Sequence, residues 1–404
     1  MSRKPRIALI WAQFSAYHVD RLEAVGARLA GRAEILSVEV ASRSAVYAWA
    51  PSGEVRFTTK VRLFEGVGYE EIFWLRRWWR MLRATWRQDQ VYVGIGYNEP
   101  DVLLLALCLR LVGVKVIMLT ASKWDDRPRS ISFELLKSVL LLPFSASLVG
   151  GHRQAEYVRF LGYLRRTVRF GMNTVDVKRI QQQAASRSEP GPPLFAERPF
   201  VFVGRFVRKK LLDRTISAYA GYVARVQGPP HRLLMIGSGE LEPALRAQAE
   251  ELGVAHLIDW PGFLDAPDVA ASLSRSLALV LVSEEEQWGL VVNEALALGI
   301  PVIASSQIGA REALVRNLEN GFVVEPGSIA GLTAAMLAAA SSEEHWQVLS
   351  VGATDRAWLG DTERFADAVE LYVFPDSPEA QSRYATFARA ISGADPSARL
   401  PLID

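Results

Sequence analysis

Cysteine is nearly absent: Cys108 is the single one in 404 residues, which excludes an internal disulfide and fits a reducing cytoplasm. A charge excess of either sign is also lacking. The net charge is +2 at pH 7, so composition gives no reason to expect a nucleic-acid partner. No apolar run is long enough for a membrane span, because the most apolar long segment, 101–119, is broken by Arg110 and Lys115 and reads as helix then strand. The start, MSRKPRIALIWAQFSA, has the basic opening of a signal peptide. Its apolar run, Ile7 to Ala12, is too short for the usual hydrophobic region, and a first buried strand explains it better. No cluster of histidine, cysteine and carboxylate has metal-ligand spacing, and Asp125-Asp126 is an adjacent pair, not Asp-x-Asp. A metal site is therefore not expected. What is present is ordinary core material, 50% hydrophobic and 22% charged, over a length that suits two α/β domains.

The most informative stretch is Ser283 to Ser305, SEEEQWGLVVNEALALGIPVIAS. Leu277 to Val282 before it and Val302 to Ala304 within it read as strands buried on both faces. Between them Leu290 to Leu298 reads as a helix, stopped by Gly299 and Pro301. A loop that opens at a helix N-terminus offers unpaired N–H groups to an anion. Two carboxylates flank that point. Glu294 is the only charged residue from Gln287 to Ala310, so it either bridges to a neighbouring loop or accepts hydrogen bonds from ligand hydroxyls. Glu286 lies on the loop beside the helix start.

Upstream, a strand from Phe200 to Val203 runs into Gly204-Arg205-Phe206-Val207-Arg208-Lys209-Lys210, a basic cluster that is either a solvated loop or a set of cations suited to phosphate oxygens. Gly237 and Gly239 follow another strand, Arg232 to Ile236, and suit a close backbone approach to a ligand. Pro261-Gly262-Phe263 follows the next strand, Leu257 to Trp260. In the first half, strands are expected at Ile7 to Trp11, Val91 to Ile95, Val114 to Leu119 and Ala146 to Val149. Their C-terminal ends would carry ligands in an open α/β sheet, which makes Asp125, Asp126, Arg127 and Arg129 site candidates. His18 and Arg21 share a helix face and either contact an acceptor or phosphate, or form a surface ion pair.

The stretch FWLRRWWRMLRATWR, 73–87, sets Arg76, Arg80, Arg83 and Arg87 in one stripe of a helix, opposite tryptophans and leucines. It is either a core-packed helix with a solvated basic face or an interfacial helix that meets an anionic membrane surface or a lipid-linked acceptor.

The pair Glu286 and Glu294, eight residues apart, resembles the Glu-x7-Glu signature of retaining glycosyltransferases of family 4 (glycosyltransferase group 1), the kind that build bacterial polysaccharides and lipid-linked glycans. Arg205 followed five residues later by Lys210 resembles the same family's phosphate segment, although Leu211 stands where glycine or asparagine is usual. Gly171 to Asp176, Gly309 to Glu312 and Asn320-Gly321-Phe322 extend the likeness over most of the chain. The resemblance implies a GT-B fold, two Rossmann-like doubly wound parallel sheets facing a cleft. Its implied layout is an acceptor domain over 1–180, a Pro-rich linker at 181–198, a nucleotide-sugar domain over 199–360, and final helices over 361–404 that cross back to the first domain. It implies transfer of a sugar from a UDP or GDP donor to a glycan or lipid-linked acceptor hydroxyl with retention, without cofactor or metal. In it Arg205 and Lys210 stabilise the leaving diphosphate, together with the helix start from Gly289 through Leu290 to Val291. Glu286, with the amides of Gln287, Trp288 and Gly289, holds the donor sugar, and Glu294 takes the ribose hydroxyls. Gly237, Gly239 and Phe263 line the nucleotide, and Asp126 orients the acceptor hydroxyl. The family's histidine near Thr120 to Ser130 is missing here. Two other readings stand beside this one: a nucleotide-sugar epimerase or phosphorylase of the same fold, and a non-catalytic nucleotide-sugar-binding protein. A cytoplasmic location is expected, peripheral on the membrane if 73–87 binds it.

Overall fold

Short apolar strands that alternate with helices leave little choice but parallel pairing, because each crossover returns the chain to the same end of the sheet. The computed structural model describes residues 3–44, 53–126, 128–163, 166–188 and 191–392. Two sheets form, and every strand pair in them is parallel. The first has strands β1 (Arg6–Trp11), β2 (Glu34–Arg43), β3 (Thr59–Gly68), β4 (Gln90–Val93), β5 (Lys115–Thr120), β6 (Ala146–Val149) and β7 (Thr167–Phe170) in the order 3-2-1-4-5-6-7. The second has β8 (Phe200–Val203), β9 (Leu233–Ile236), β10 (Ile258–Gly262), β11 (Ala278–Leu281), β12 (Val302–Ser305) and β13 (Gly321–Val324) in the order 10-9-8-11-12-13. Both orders reverse direction beside their first strand, the doubly wound pattern expected from the sequence.

The chain divides into two compact units. Unit 1 is Met1–Asp176 with Thr362–Asp404, and unit 2 is Val177–Asp361. Helix Val177–Arg187 corrects one expectation. The glutamines at 181–183 read as the start of a linker, yet they lie in a helix of unit 2, anchored by buried Ile180 and Ala184. Gln181 donates to the Ala297 carbonyl at 2.9 Å, which fixes the helix to its own unit.

In unit 1 one sheet face is covered by helices Ala16–Arg28 and Thr362–Val373, with Trp11, Phe14, Leu22, Phe365 and Val369 in a common core. Helix Thr362–Val373 is therefore part of this unit's interior. The β2 and β3 strands escape a simple reading because β2 buries a charge. Glu39 is fully buried, accepts from the Phe14 amide at 2.9 Å and pairs with Arg62 at 2.8 Å and Lys60 at 3.3 Å.

Helix Ala16–Arg28 starts on Ser15, whose amide donates to His18 Nδ1 at 3.0 Å. The ring also stacks on Trp11 with centroids 4.8 Å apart. Burial, and then the Arg21 charge, push the His18 pKa well below the usual histidine value of 6.5. The sign follows: the unfolded chain binds a proton below about pH 6.5 that the folded chain refuses, so stability falls as pH drops through that value. The loss sets in below about pH 6.5, where the unfolded histidine takes up its proton. His18→Asn keeps a ring-nitrogen substitute on the cap and should flatten that part of the slope in urea unfolding. An unchanged slope contradicts the assignment.

Candidate functional site

In an open doubly wound sheet, the loops after the two strands that flank the reversal point splay apart and leave room for a ligand. In unit 2 these strands are β8 and β11. The sequence places Arg205 and Lys210 after the first and Glu286 after the second, and the structure joins the loops. The Glu284 amide donates to the Lys209 carbonyl at 3.0 Å, and the Lys210 ammonium is ion-paired with Glu286. Both side chains of that pair keep part of their surface exposed, at 14% and 20%. Arg205 is exposed, and among the described residues its guanidinium has no ion-pair partner.

The Glu286 loop is held from behind. Its carbonyl accepts from the Gly309 amide at 3.2 Å, and the Trp288 carbonyl accepts from Ala310 at 3.0 Å. Trp288 is buried and its indole N–H donates to Asn293 Oδ1 at 2.9 Å, while Asn293 donates to the Gly360 carbonyl at 3.2 Å. The expected role of Trp288 thus falls to its backbone alone, since its side chain anchors the helix. Helix Leu290–Ala297 begins at Gly289, whose φ of 94° is left-handed. A Cβ there would lie 3.4 Å from Glu286 Cγ, so the carboxylate stem stands against the helix start. No side chain caps this helix, which leaves its first amides, Leu290 and Val291 among them, at an open positive end. Gln287 is exposed at the loop tip, and Glu294 is half-buried on the next turn.

Gly237 and Gly239 have a more specific reason than the expected approach of a ligand. A Cβ on Gly237 would lie 2.0 Å from the Gly204 carbonyl oxygen, and one on Gly239 would lie 2.4 Å from that of Phe206. Phe206 in turn donates to the Ser238 carbonyl at 2.9 Å. The two glycines therefore let one loop lie on the other and fix the backbone on either side of Arg205. Gly237 has a φ of 130° as well, so Gly237→Ala meets both a clash and a strained backbone. It should lower stability by about 1–3 kcal/mol. Thermal unfolding checks this; a wild-type midpoint would contradict it.

Phe263 is 82% exposed at the end of β10, beside the same loop, since the Gly237 amide donates to the Gly262 carbonyl at 2.9 Å. Leu211, the residue that departs from the family pattern, sits at φ 51° and ψ 42°. That left-handed geometry costs a leucine about 1–2 kcal/mol and costs glycine or asparagine little, which explains the usual choice there. Sequence reading missed Ser283, fully buried with a hydroxyl that lacks a protein partner among the described residues. A serine in an acidic loop carries no signal of burial.

Unit 1 treats its candidates differently. Asp126 does not stand open to an acceptor. It is ion-paired with Arg129 and accepts from the Lys123 amide at 3.2 Å, with its side chain only 5% exposed. The adjacent aspartates made it look like a pocket residue, but the Arg129 guanidinium and the Lys123 amide turn it into a loop brace. Asp125 is more open and pairs with Lys123 at 3.0 Å and with Arg153. Arg127 lies outside the described residues. Arg21 is buried instead of forming a surface ion pair, and donates to the Thr174 carbonyl at 3.2 and 3.0 Å. Burial lowers its pKa to about 10. Among the described residues no group of three or more His, Cys, Asp or Glu side chains is placed to hold a metal ion.

Two doubly wound units, the second with cations and paired carboxylates at its reversal point, define the GT-B class of protein. Solved structures agree on the fold: sucrose-phosphate synthase from Thermosynechococcus elongatus matches 93% of this chain and 100% of its own with a TM-score of 0.69 at 19% identity. Anabaena HepE, solved in complex with UDP and glucose, covers 92% of this chain and 100% of its own with a TM-score of 0.65 at 15% identity. Residues 193–355, most of unit 2, match the family described as glycosyl transferases group 1. Among curated relatives, N-acetyl-alpha-D-glucosaminyl L-malate synthase from Bacillus anthracis is 27% identical over 263 residues, 63% of this chain and 66% of that protein. The chain spans less than two thirds of the length of the first curated relatives it matches, from 32% to 66%.

Proposed function

We propose that this chain transfers a sugar from a nucleoside diphosphate donor to an acceptor hydroxyl, with retention of configuration and without a metal. The observation that carries the reading is the Lys210–Glu286 pair, which ties the β8 and β11 loops together beside the uncapped start of helix Leu290–Ala297. Negative charge grows on the diphosphate as the glycosidic bond breaks. Arg205, Lys210 and the amides at Leu290 and Val291 stabilise that charge where a metal would otherwise be needed. Glu286, a neighbour of Lys210, takes donor-sugar hydroxyls, and Glu294 takes those of the ribose. Phe263 and the 237–239 backbone form the nucleotide wall. That the Anabaena structure of this fold was solved with UDP and glucose supports a nucleotide-sugar ligand, while the choice between UDP and GDP rests with titration. The acceptor class remains a glycan or lipid-linked hydroxyl, and Asp126 has no direct part in binding it. The group 1 domain favours a transferase over an epimerase or a non-catalytic binder.

Glu294→Ala tests the reading. Losing a charged hydrogen bond to ribose weakens donor binding by about 1.5–3 kcal/mol. Calorimetry with UDP and GDP reads this directly, and an unchanged dissociation constant removes Glu294 from the site.

A further inference from the structure

Helix Ile131–Leu140 is folded with its polar edge inward. Glu134 and Lys137 are only 1% and 4% exposed, while Ile131, Leu135, Leu136 and Val139 are 51–68% exposed. The buried pair is well satisfied. Lys137 reaches Glu134 Oε1 at 2.8 Å, the Tyr157 hydroxyl donates to Glu134 Oε2 at 2.6 Å, and Arg129 stands at 3.4 Å. The apolar surface continues beyond the helix through Leu142 and through Phe160, which meets Trp124 edge-on with centroids 4.9 Å apart. Scattered exposed leucines need no explanation, but a contiguous apolar block over a buried ionic network does.

A second observation identifies what covers it. The connections β3 to β4, β4 to β5 and β5 to β6 all cross the sheet in one direction. Right-handed crossovers therefore place helices Trp74–Thr85, Pro100–Leu111 and Ile131–Leu140 on the same face, opposite the one covered by Ala16–Arg28 and Thr362–Val373. The first of these helices buries its tryptophan arc only in part, with Trp74, Trp78 and Leu82 half-buried. Its buried positions are Arg77, Met81 and Thr85, and Arg77 is held there by Asp101 at 2.7 Å. Phe73, Leu75, Trp79 and Trp86 are 39–60% exposed, and Arg76, Arg80, Arg83 and Arg87 are exposed among them. Tryptophan and arginine intermixed on a surface match the headgroup level of a bilayer, where rings sit at the interface and guanidinium groups meet phosphates. A protein partner of comparable apolar area would meet four arginines that have no ion-pair partner among the described residues.

We propose that unit 1 docks on an anionic lipid bilayer through this helical layer, with helix Ile131–Leu140 entering the interface apolar edge first and the 73–87 arginines on the lipid phosphates. No helix among the described residues is long and apolar enough to cross, so the protein lies on the surface. The inverted helix supplies apolar insertion and the neighbouring arginines supply affinity for negative lipid, and the two together exceed what either gives alone.

Co-sedimentation of the full chain with vesicles of phosphatidylglycerol and phosphatidylcholine, at low salt, tests this. The wild type is expected in the pellet with mixed vesicles and in the supernatant with phosphatidylcholine alone. Leu135→Glu with Val139→Glu should abolish pelleting. Arg83→Ala with Arg87→Ala should weaken it by roughly 25-fold, about fivefold per arginine. All four side chains are exposed, so unchanged thermal midpoints are expected and separate lost docking from lost folding. A wild type that stays in solution with mixed vesicles, or a Leu135→Glu, Val139→Glu variant that binds as well as wild type, overturns the proposal. So does a dimer that the same pair of substitutions dissolves while vesicles are ignored, which would assign the surface to a second copy of the chain. Donor binding plays no part in this readout, so the two proposals fail separately.

Discussion

Lys210→Ala is expected to lower donor turnover by about 10²–10³-fold while changing donor affinity far less. The cation sits on the β8 loop, already paired with Glu286 and so already aimed before any ligand arrives. A preorganised charge is worth most where negative charge develops, and on the leaving diphosphate it develops during bond cleavage. Arg205→Ala should act in the same direction. Its exposed guanidinium has more freedom than the paired ammonium, so its effect should be the smaller of the two. Release of nucleoside diphosphate, with or without acceptor, measures both. Turnover of Lys210→Ala within threefold of wild type would contradict the assignment, as would a loss confined to binding.

The second large effect concerns stability. Asp367 is fully buried on helix Thr362–Val373 and gathers Arg28, Arg364 at 2.8 Å and Arg383 at 3.1 Å. Glu370, one turn on, adds Arg28 at 3.3 Å, Arg32 at 2.5 Å and Arg383. This cluster fastens helix Thr362–Val373 to helix Ala16–Arg28 and so closes one face of unit 1. Removing one partner from a buried ion cluster typically costs about 3–5 kcal/mol, because the remaining charges are left unpaired. The arginines here keep 16–38% of their side-chain surface exposed, so water can partly replace Asp367. The expected loss for Asp367→Ala is therefore near the lower end, ~3 kcal/mol, still a large fraction of the ~5–15 kcal/mol that holds an ordinary domain. Urea unfolding followed by tryptophan fluorescence should show unit 1 melting first. A loss below about 0.5 kcal/mol, the size of a surface substitution, would mean that packing alone holds these helices.

The parts of this architecture that were legible in the sequence share one property: burial on both faces. Strand Phe200–Val203 is an uninterrupted apolar run and Ala146–Val149 is broken only by buried Ser147, and the bounds of both agree with the sequence reading. Where charge is buried, the pattern misleads. Glu39 hides β2, and Glu134 with Lys137 makes helix Ile131–Leu140 look like an ordinary amphipathic helix with the opposite face outward. Long-range partners such as Arg62, Tyr157 and Arg129 decide these cases, and no local window contains them. The candidate site was legible because its residues follow strand ends in a fixed order. What the order could not reveal is that Gly237 and Gly239 accommodate the Gly204–Phe206 backbone, or that Asp126 is a brace for its own loop.

Phosphate recognition by Arg205 and Lys210 is the claim on which the rest depends, and a paired titration tests it most directly. Calorimetry would compare UDP with uridine and GDP with guanosine, on the wild type and on the Arg205→Ala, Lys210→Ala double variant. One diphosphate should bind the wild type far more tightly than its nucleoside, and the double variant should erase most of that difference. Equal affinity of nucleoside and diphosphate for the wild type, or a preference that survives loss of both cations, would contradict it.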